Sequence, residues 1–296
     1  MRRIVPHLWY DKEAGEAAEF YASILPDSAV LSRTKLGGTP SGEVELVSAR
    51  LAGQEFQLIS AGPYFSFTPA VSFVVAAESA AEAERLAAAL GAGGAELMPF
   101  GAYPFAPAFA WVRDRYGLSW QVIFRPGPAP RRRIAPALLF TGAVCGRAEE
   151  AARFYASLFD GAGVGDILRY GPDEAPDREG TVKQLAFSLE GMDFTAMDSA
   201  YDHGFSFNEA VSFIVYVETQ AELDRFWAAL SAVPEAEQCG WLKDRFGLSW
   251  QVVPTAMDEL MGSGDEASRA RVTAAFLSMK KFDIAALKAA AEGGER

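Results

Sequence analysis

The sequence predicts an α+β protein built from two tandem repeats, each made of two βαβββ units, followed by a helical tail. Three observations carry this. Trp111-Val112-Arg113-Asp114-Arg115-Tyr116-Gly117-Leu118-Ser119-Trp120-Gln121-Val122 returns as Trp241-Leu242-Lys243-Asp244-Arg245-Phe246-Gly247-Leu248-Ser249-Trp250-Gln251-Val252, and every replacement keeps size and character. Ahead of each copy, short apolar strands alternate twice with a single amphipathic helix. The 296 residues, 50% of them hydrophobic, are enough for a core in each half.

Ile4 to Tyr10 reads as a strand with Val5, His7 and Trp9 on one face. Asp11 is placed to cap a helix in which Ala14, Ala17, Ala18, Tyr21 and Leu25 fall at helical spacing, and Pro26-Asp27 ends it. Strands are expected near 30–36, 44–51 and 56–60, with turns at Gly37-Gly38-Thr39-Pro40 and Ala52-Gly53-Gln54. The order then restarts with a strand over 71–76. Ser79-Ala80-Ala81-Glu82 is a capping box for a helix that turns Leu86 and Leu90 inward. Strands follow near 96–100, 109–114 and 118–124. The last two are joined by Asp114-Arg115-Tyr116-Gly117, a polar turn closed by a glycine. These observations place one domain at 1–125 and a Pro/Arg linker at 126–133. A second domain then covers 134–254 and a helical tail 255–296, the tail expected to pack over a sheet edge or the partner domain.

In the second domain, Phe154-Tyr155-Ala156-Ser157 copies Phe20-Tyr21-Ala22-Ser23, and Thr219-Gln220-Ala221-Glu222 is again a capping box. A net charge of −12 argues against a nucleic-acid partner, which needs clustered cations. The cluster Arg131-Arg132-Arg133 lies in the linker and reads as solvated. Two cysteines, Cys145 and Cys239, imply no disulfide framework. No apolar run approaches the ~18 residues of a membrane helix, and the N-terminus is too short in apolar residues for a signal peptide. A cytoplasmic protein without membrane partners is expected.

Pro6-His7-Leu8-Trp9, Phe20-Tyr21, Ala210-Val211-Ser212-Phe213 and the stretch from Gln238 to Pro254 resemble the PhnB-like branch of the vicinal-oxygen-chelate superfamily. That superfamily includes glyoxalase I, extradiol dioxygenases and bleomycin-resistance proteins, and the branch carries a demethylubiquinone methyltransferase label. The resemblance implies glyoxalase-like domains whose strands curl into a half-open barrel around a cleft. It also implies that the duplication makes within one chain the pair that single-domain relatives form between chains. A monomer is then expected, with a homodimer as the alternative.

In metal-dependent relatives the ligands come from the first, fourth, fifth and eighth strands of a domain. Carried over, the first repeat offers His7, Gln57, Ser72 and Gln121, and the second offers Ala137, Thr195, Ser212 and Gln251. Catalytic zinc takes two or three strong His, Glu or Cys ligands, and neither tetrad holds a carboxylate. The chain has only two histidines, His7 and His203. The paired glutamines Gln121 and Gln251 are expected to be satisfied polar groups inside the cleft, or to bond a ligand there. Trp9, Phe100, Tyr103 and Trp111 are read as core aromatics or, alternatively, the lining of an apolar cleft. Gly91-Ala92-Gly93-Gly94 follows a helix and reads as a C-cap. No other segment is read as a glycine-rich loop after a strand, which leaves the methyltransferase label without support.

Two functions are weighed. The first is a protein that binds a small molecule in a barrel cleft without intact metal chemistry. The alternative is a divalent-metal enzyme of glyoxalase or dioxygenase type, using His7, Gln57 and Gln121 of the first repeat only. A methyltransferase comes third.

Overall fold

The computed structural model describes residues 3–39, 41–127, 132–262 and 265–293, so part of the expected linker, 128–131, lies outside the described residues. The first unit runs β1 (Ile4–Tyr10), α1 (Ala14–Ile24), β2 (Ala29–Thr39), β3 (Gly42–Leu51) and β4 (Gln54–Ser60). The second runs β5 (Val71–Ala76), α2 (Ala80–Gly91), β6 (Ala95–Tyr103), β7 (Ala106–Arg113) and β8 (Ser119–Phe124). The third holds β9 (Ile134–Phe140), α3 (Ala148–Ala156), β10 (Gly163–Arg169), β11 (Val182–Leu189) and β12 (Met192–Asp198). The fourth is shorter, with β13 (Val211–Val217), α4 (Gln220–Leu230), β14 (Trp241–Lys243) and β15 (Ser249–Pro254). The tail folds as α5 (Ala256–Gly262), α6 (Glu266–Leu277) and α7 (Ile284–Glu292).

Local chemistry explains the helix starts. Ser79 Oγ accepts from Glu82 N–H at 3.1 Å, and the Glu82 carboxylate takes Glu78 N–H at 2.6 Å. Thr219 and Glu222 repeat this pattern at 3.2 and 3.0 Å. Asp11 does not cap α1. The cap position is Glu13, and Ser60 Oγ, at the end of β4, accepts the Ala14 N–H at 3.0 Å. Gly93 takes φ +78° just past α2, as a helix stop requires. Arg133 of the expected linker is not solvated: its guanidinium bonds the Glu82 carboxylate at 2.7 Å and so ties the linker to the start of α2.

The four units combine into two curved sheets, and the sheets exchange units between the halves. Sheet A runs β14-β15-β13-β1-β4-β3-β2 and sheet B runs β10-β11-β12-β9-β5-β8-β7-β6. Each sheet therefore takes one unit from each half, joined antiparallel at β1–β13 and β5–β9. Alone, a half would leave β1 and β5 with unpaired N–H and C=O rows, and the other half supplies both partners.

The buried hydrophobic residues of both halves form one core cluster. Along β1 the residues Ile4, Leu8 and Tyr10 face the helices, and Phe56 of sheet A meets Phe73 of sheet B with ring centroids 5.1 Å apart. At the centre lies Asp114, buried in the β7–β8 turn. Its Oδ1 accepts Tyr116 and Leu118 N–H at 2.8 and 3.0 Å, and its Oδ2 accepts Trp120 Nε1–H at 2.8 Å and the Tyr21 hydroxyl at 2.7 Å. Asp244 repeats all four bonds with Phe246, Leu248, Trp250 and Tyr155. Burial pushes both carboxyls above the ordinary aspartate range while the four donors pull them back. Each aspartate ties the helix of one unit to the hairpin of the next.

The tail has no counterpart in the first half. Where β6 would recur in the fourth unit, a short turn stands, and Met279 and Lys280 carbonyls accept the Cys239 and Gly240 N–H groups at 2.8 Å each. Phe282 packs against Gly240, where a Cβ would come within 2.5 Å of its ring. At its other side α6 touches β2, the far edge of sheet A.

Candidate functional site

The concave face of sheet A carries Val5, His7 and Trp9 of β1, the side opposite Ile4, Leu8 and Tyr10. His7 stands opposite Ser212 of β13 and beside Gln57 of β4. Gln251 of β15 donates through Nε2 to Ser212 Oγ at 2.9 Å. His7 is 5% exposed, and its Nδ1 has no hydrogen-bond partner among the described residues. The Trp241 ring meets the imidazole edge-on at 5.1 Å, and Trp9 meets Trp241 at 5.8 Å. Trp9 is held by its Nε1–H on the Gly62 carbonyl at 2.8 Å. Burial drives the His7 pKa down to about 3, so the ring is neutral at physiological pH.

Sheet B repeats the arrangement in a weaker form. Ser72 pairs with Ala137, Ala137 with Thr195, and Gln121 donates to Ser72 Oγ at 2.8 Å. Gln121 is half-buried where Gln251 is 6% exposed. Each glutamine amide thus donates one hydrogen bond to a serine hydroxyl of the neighbouring strand.

The tetrads carried over by domain are therefore not sites. His7 and Gln57 lie on sheet A, while Ser72 and Gln121 lie on sheet B. The metal set His7, Gln57 and Gln121 is split between sheets, as is Ala137 and Thr195 from Ser212 and Gln251. Exchange of units regroups them as His7, Gln57, Ser212 and Gln251 on one face and Ala137, Thr195, Ser72 and Gln121 on the other. The aromatic lining divides the same way. Trp9 belongs to sheet A, whereas Phe100, Tyr103 and Trp111 belong to sheet B. Phe100 is 37% exposed on the edge strand, Tyr103 stacks on Phe105 at 5.5 Å, and Trp111 donates to Ser119 Oγ at 2.6 Å.

A model of the family described as 3-demethylubiquinone-9 3-methyltransferase matches residues 2–123 and again 132–253. The chain belongs to this family, in two copies. Among solved structures, the PhnB protein of Bacillus cereus, which carries the same methyltransferase label, is 33% identical over 41% of this chain and 98% of its own, with a TM-score of 0.38. Two single-substitution variants of glyoxalase I from Zea mays match the double unit. The glutamate-to-glutamine variant is 12% identical over 88% of this chain and 97% of its own, at TM-score 0.52. The valine-to-glutamate variant is 12% identical over 85% of this chain and 93% of its own, at TM-score 0.50. At that identity they establish the glyoxalase-like fold alone. No curated protein matches the sequence.

One loop bears on the methyltransferase label. Thr141-Gly142-Ala143-Val144-Cys145-Gly146 follows β9 and opens α3, a glycine-bearing strand-to-helix turn absent from the reading of the sequence. The donors at its helix end are taken: Val144 and Cys145 N–H bond the Thr141 and Gly142 carbonyls at 3.2 Å each, and Asp198 Oδ1 accepts Gly146 and Ala148 N–H at 2.7 and 3.1 Å. A cofactor phosphate would meet a carboxylate there instead of free amides. An open hollow of about 760 Å³ borders this loop with Arg178, Tyr201 and His203, and a smaller one of about 370 Å³ lies by Asp11, Lys12 and Ser60. None of the regrouped tetrad residues lines either hollow.

The resemblance implies an ion held through His7. The donors present do not fit a resident catalytic metal. They comprise one imidazole, two carboxamides and a hydroxyl already bonded to Gln251, and among the described residues no three His, Cys, Asp or Glu side chains converge.

Trp241, the sheet A partner of His7, is a site residue that sequence reasoning missed, although it sits 130 positions after Trp111; the repeat offset would have found it.

Proposed function

We propose that this member of the 3-demethylubiquinone-9 3-methyltransferase family binds a small molecule on the concave face of sheet A, with no step routed through a metal. The observation that carries this is the buried, unpartnered His7 Nδ1. An orphaned polar atom costs on the order of 1–3 kcal/mol, which a ligand group bonded there recovers. Beside it the Gln57 side chain is half-buried with no bonded partner among the described residues, and Trp9 and Trp241 supply flat apolar walls. The ligand class is a compact aromatic bearing a polar group that can bond a neutral imidazole.

Tryptophan fluorescence titration with 2-naphthol tests this, because Trp9 and Trp241 flank the site. Saturable quenching that His7→Phe weakens about tenfold is the expected result. Quenching that His7→Phe leaves unchanged would overturn the proposal. A metalloenzyme reading would instead require a divalent ion, bound stoichiometrically, that His7→Ala removes.

A further inference from the structure

The two sheets carry a tryptophan, a serine and a glutamine in the same register and use them differently. In sheet B, Trp111 of β7 pairs with Gln121 of β8, and Ser119 stands two residues before Gln121 on the same face. The Trp111 Nε1–H donates to Ser119 Oγ at 2.6 Å. In sheet A, Trp241 pairs with Gln251 and Ser249 stands two residues before it, yet Ser249 Oγ is buried with no hydrogen-bond partner among the described residues. The Trp241 ring stands instead against the rings of β1, with centroids 5.1 Å from His7 and 5.8 Å from Trp9. The register gives the reason. The sheet B counterparts of His7 and Trp9 are Ala137 and Leu139, which offer no ring to draw Trp111 from its serine.

We infer that Trp241 is an exchangeable occupant of the binding site. Its indole fills the place of an aromatic ligand beside His7 and Trp9, and ligand entry turns it onto Ser249 Oγ, as Trp111 already sits on Ser119. This rests on the small-molecule reading of the face. The exchange satisfies both buried orphans at once: Ser249 Oγ gains the indole N–H, and His7 Nδ1 gains the polar group of the ligand. Edge-on ring contacts and one hydrogen bond are of comparable worth, so neither placement locks the indole, and the contacts of the ligand decide between them. The backbone need not move. Just before Trp241, the Cys239 and Gly240 N–H groups are pinned to the Met279 and Lys280 carbonyls at 2.8 Å each, so rotation about the bonds of the side chain suffices. The ligand class that fits is a flat ring system of indole size with a hydroxyl or ring N–H at the edge facing His7.

Calorimetric titration with 2-naphthol of the parent, Trp241→Ala, Ser249→Ala and the double variant tests this. Trp241→Ala should bind about threefold more tightly or better, because the probe no longer displaces a ring. Ser249→Ala should bind about threefold more weakly or worse, because the displaced indole loses its acceptor. In the Trp241→Ala background, Ser249→Ala should change nothing, since the serine acts through the indole. Without probe, Ser249→Ala should melt no lower than the parent, as it removes an unbonded hydroxyl, whereas Ser119→Ala should melt lower and leave the affinity unchanged. An affinity of Trp241→Ala equal to or below that of the parent makes the indole a fixed wall and overturns this inference alone. So does a Ser249→Ala that binds like the parent, melts lower than it, or weakens binding equally in both backgrounds. Binding by Trp241→Ala but not by the parent makes the indole a permanent plug and overturns the exchange. Binding by neither, or binding indifferent to His7→Phe, overturns the small-molecule reading and this inference with it.

Discussion

The His7 imidazole makes folding stability depend on pH in a way that one substitution removes. In the folded chain burial lowers its pKa from 6.5 to about 3, so the native state binds fewer protons than the unfolded chain through the window between those values. Its contribution is fully present above the unfolded value and is lost as pH falls toward the folded one. Each pKa unit is worth about 1.4 kcal/mol. At about pH 5 the unfolded histidine is almost fully protonated and the folded one almost fully neutral, which costs about 2 kcal/mol relative to about pH 7.5. That figure barely moves if the folded pKa is a unit higher, because pH 5 still lies above it. Urea melts of the parent and of His7→Phe at both pH values give the double difference. Other groups, including the raised carboxyls of Asp114 and Asp244, contribute equally to both proteins and cancel. The parent should lose about 2 kcal/mol more than the variant on acidification. A double difference under about 0.5 kcal/mol would show that His7 is protonated or solvated in the folded state, and the argument for an orphaned neutral ring would fall.

Asp114→Ala and Asp244→Ala should each destabilise by about 3–5 kcal/mol in urea melts, since each removes the acceptor of four hydrogen bonds, among them the buried indole N–H of Trp120 or Trp250, and the asparagine replacements should cost less. A loss below about 1 kcal/mol would mean the network is not a tie between units. Gly94→Ala places a Cβ 1.8 Å from the Arg113 carbonyl oxygen, and should cost about 3 kcal/mol or more by thermal or urea denaturation.

The duplication, the order of strands and helices, and the faces of β1 were legible because they rest on local periodicity. Val5, His7 and Trp9 share a face at a period of two, and the 130-residue offset needs only comparison of the chain with itself. The cap of α1 was not legible, since Asp11 has the right chemistry but Ser60, 46 positions from Ala14, supplies the bond. Asp114 read correctly as a turn residue, yet its larger role is to accept Tyr21 and Trp120, a contact between units that turn chemistry does not announce.

What the sequence by itself determined is the kit: four similar units, a lone histidine on a strand face, glutamines at matching positions, and a helical tail. Only the tertiary structure decided the grouping. The edges of β1 and β5 must each find a partner strand, and they find it in the other half, so His7 meets Ser212 and Gln251 instead of Ser72 and Gln121. The tail then makes the two sheets unequal, because its α6 packs against β2 at the edge of sheet A. Strand pairing between halves and the course of a tail are long-range choices, set by which hydrogen-bonding edges and apolar faces remain unsatisfied once each unit has formed.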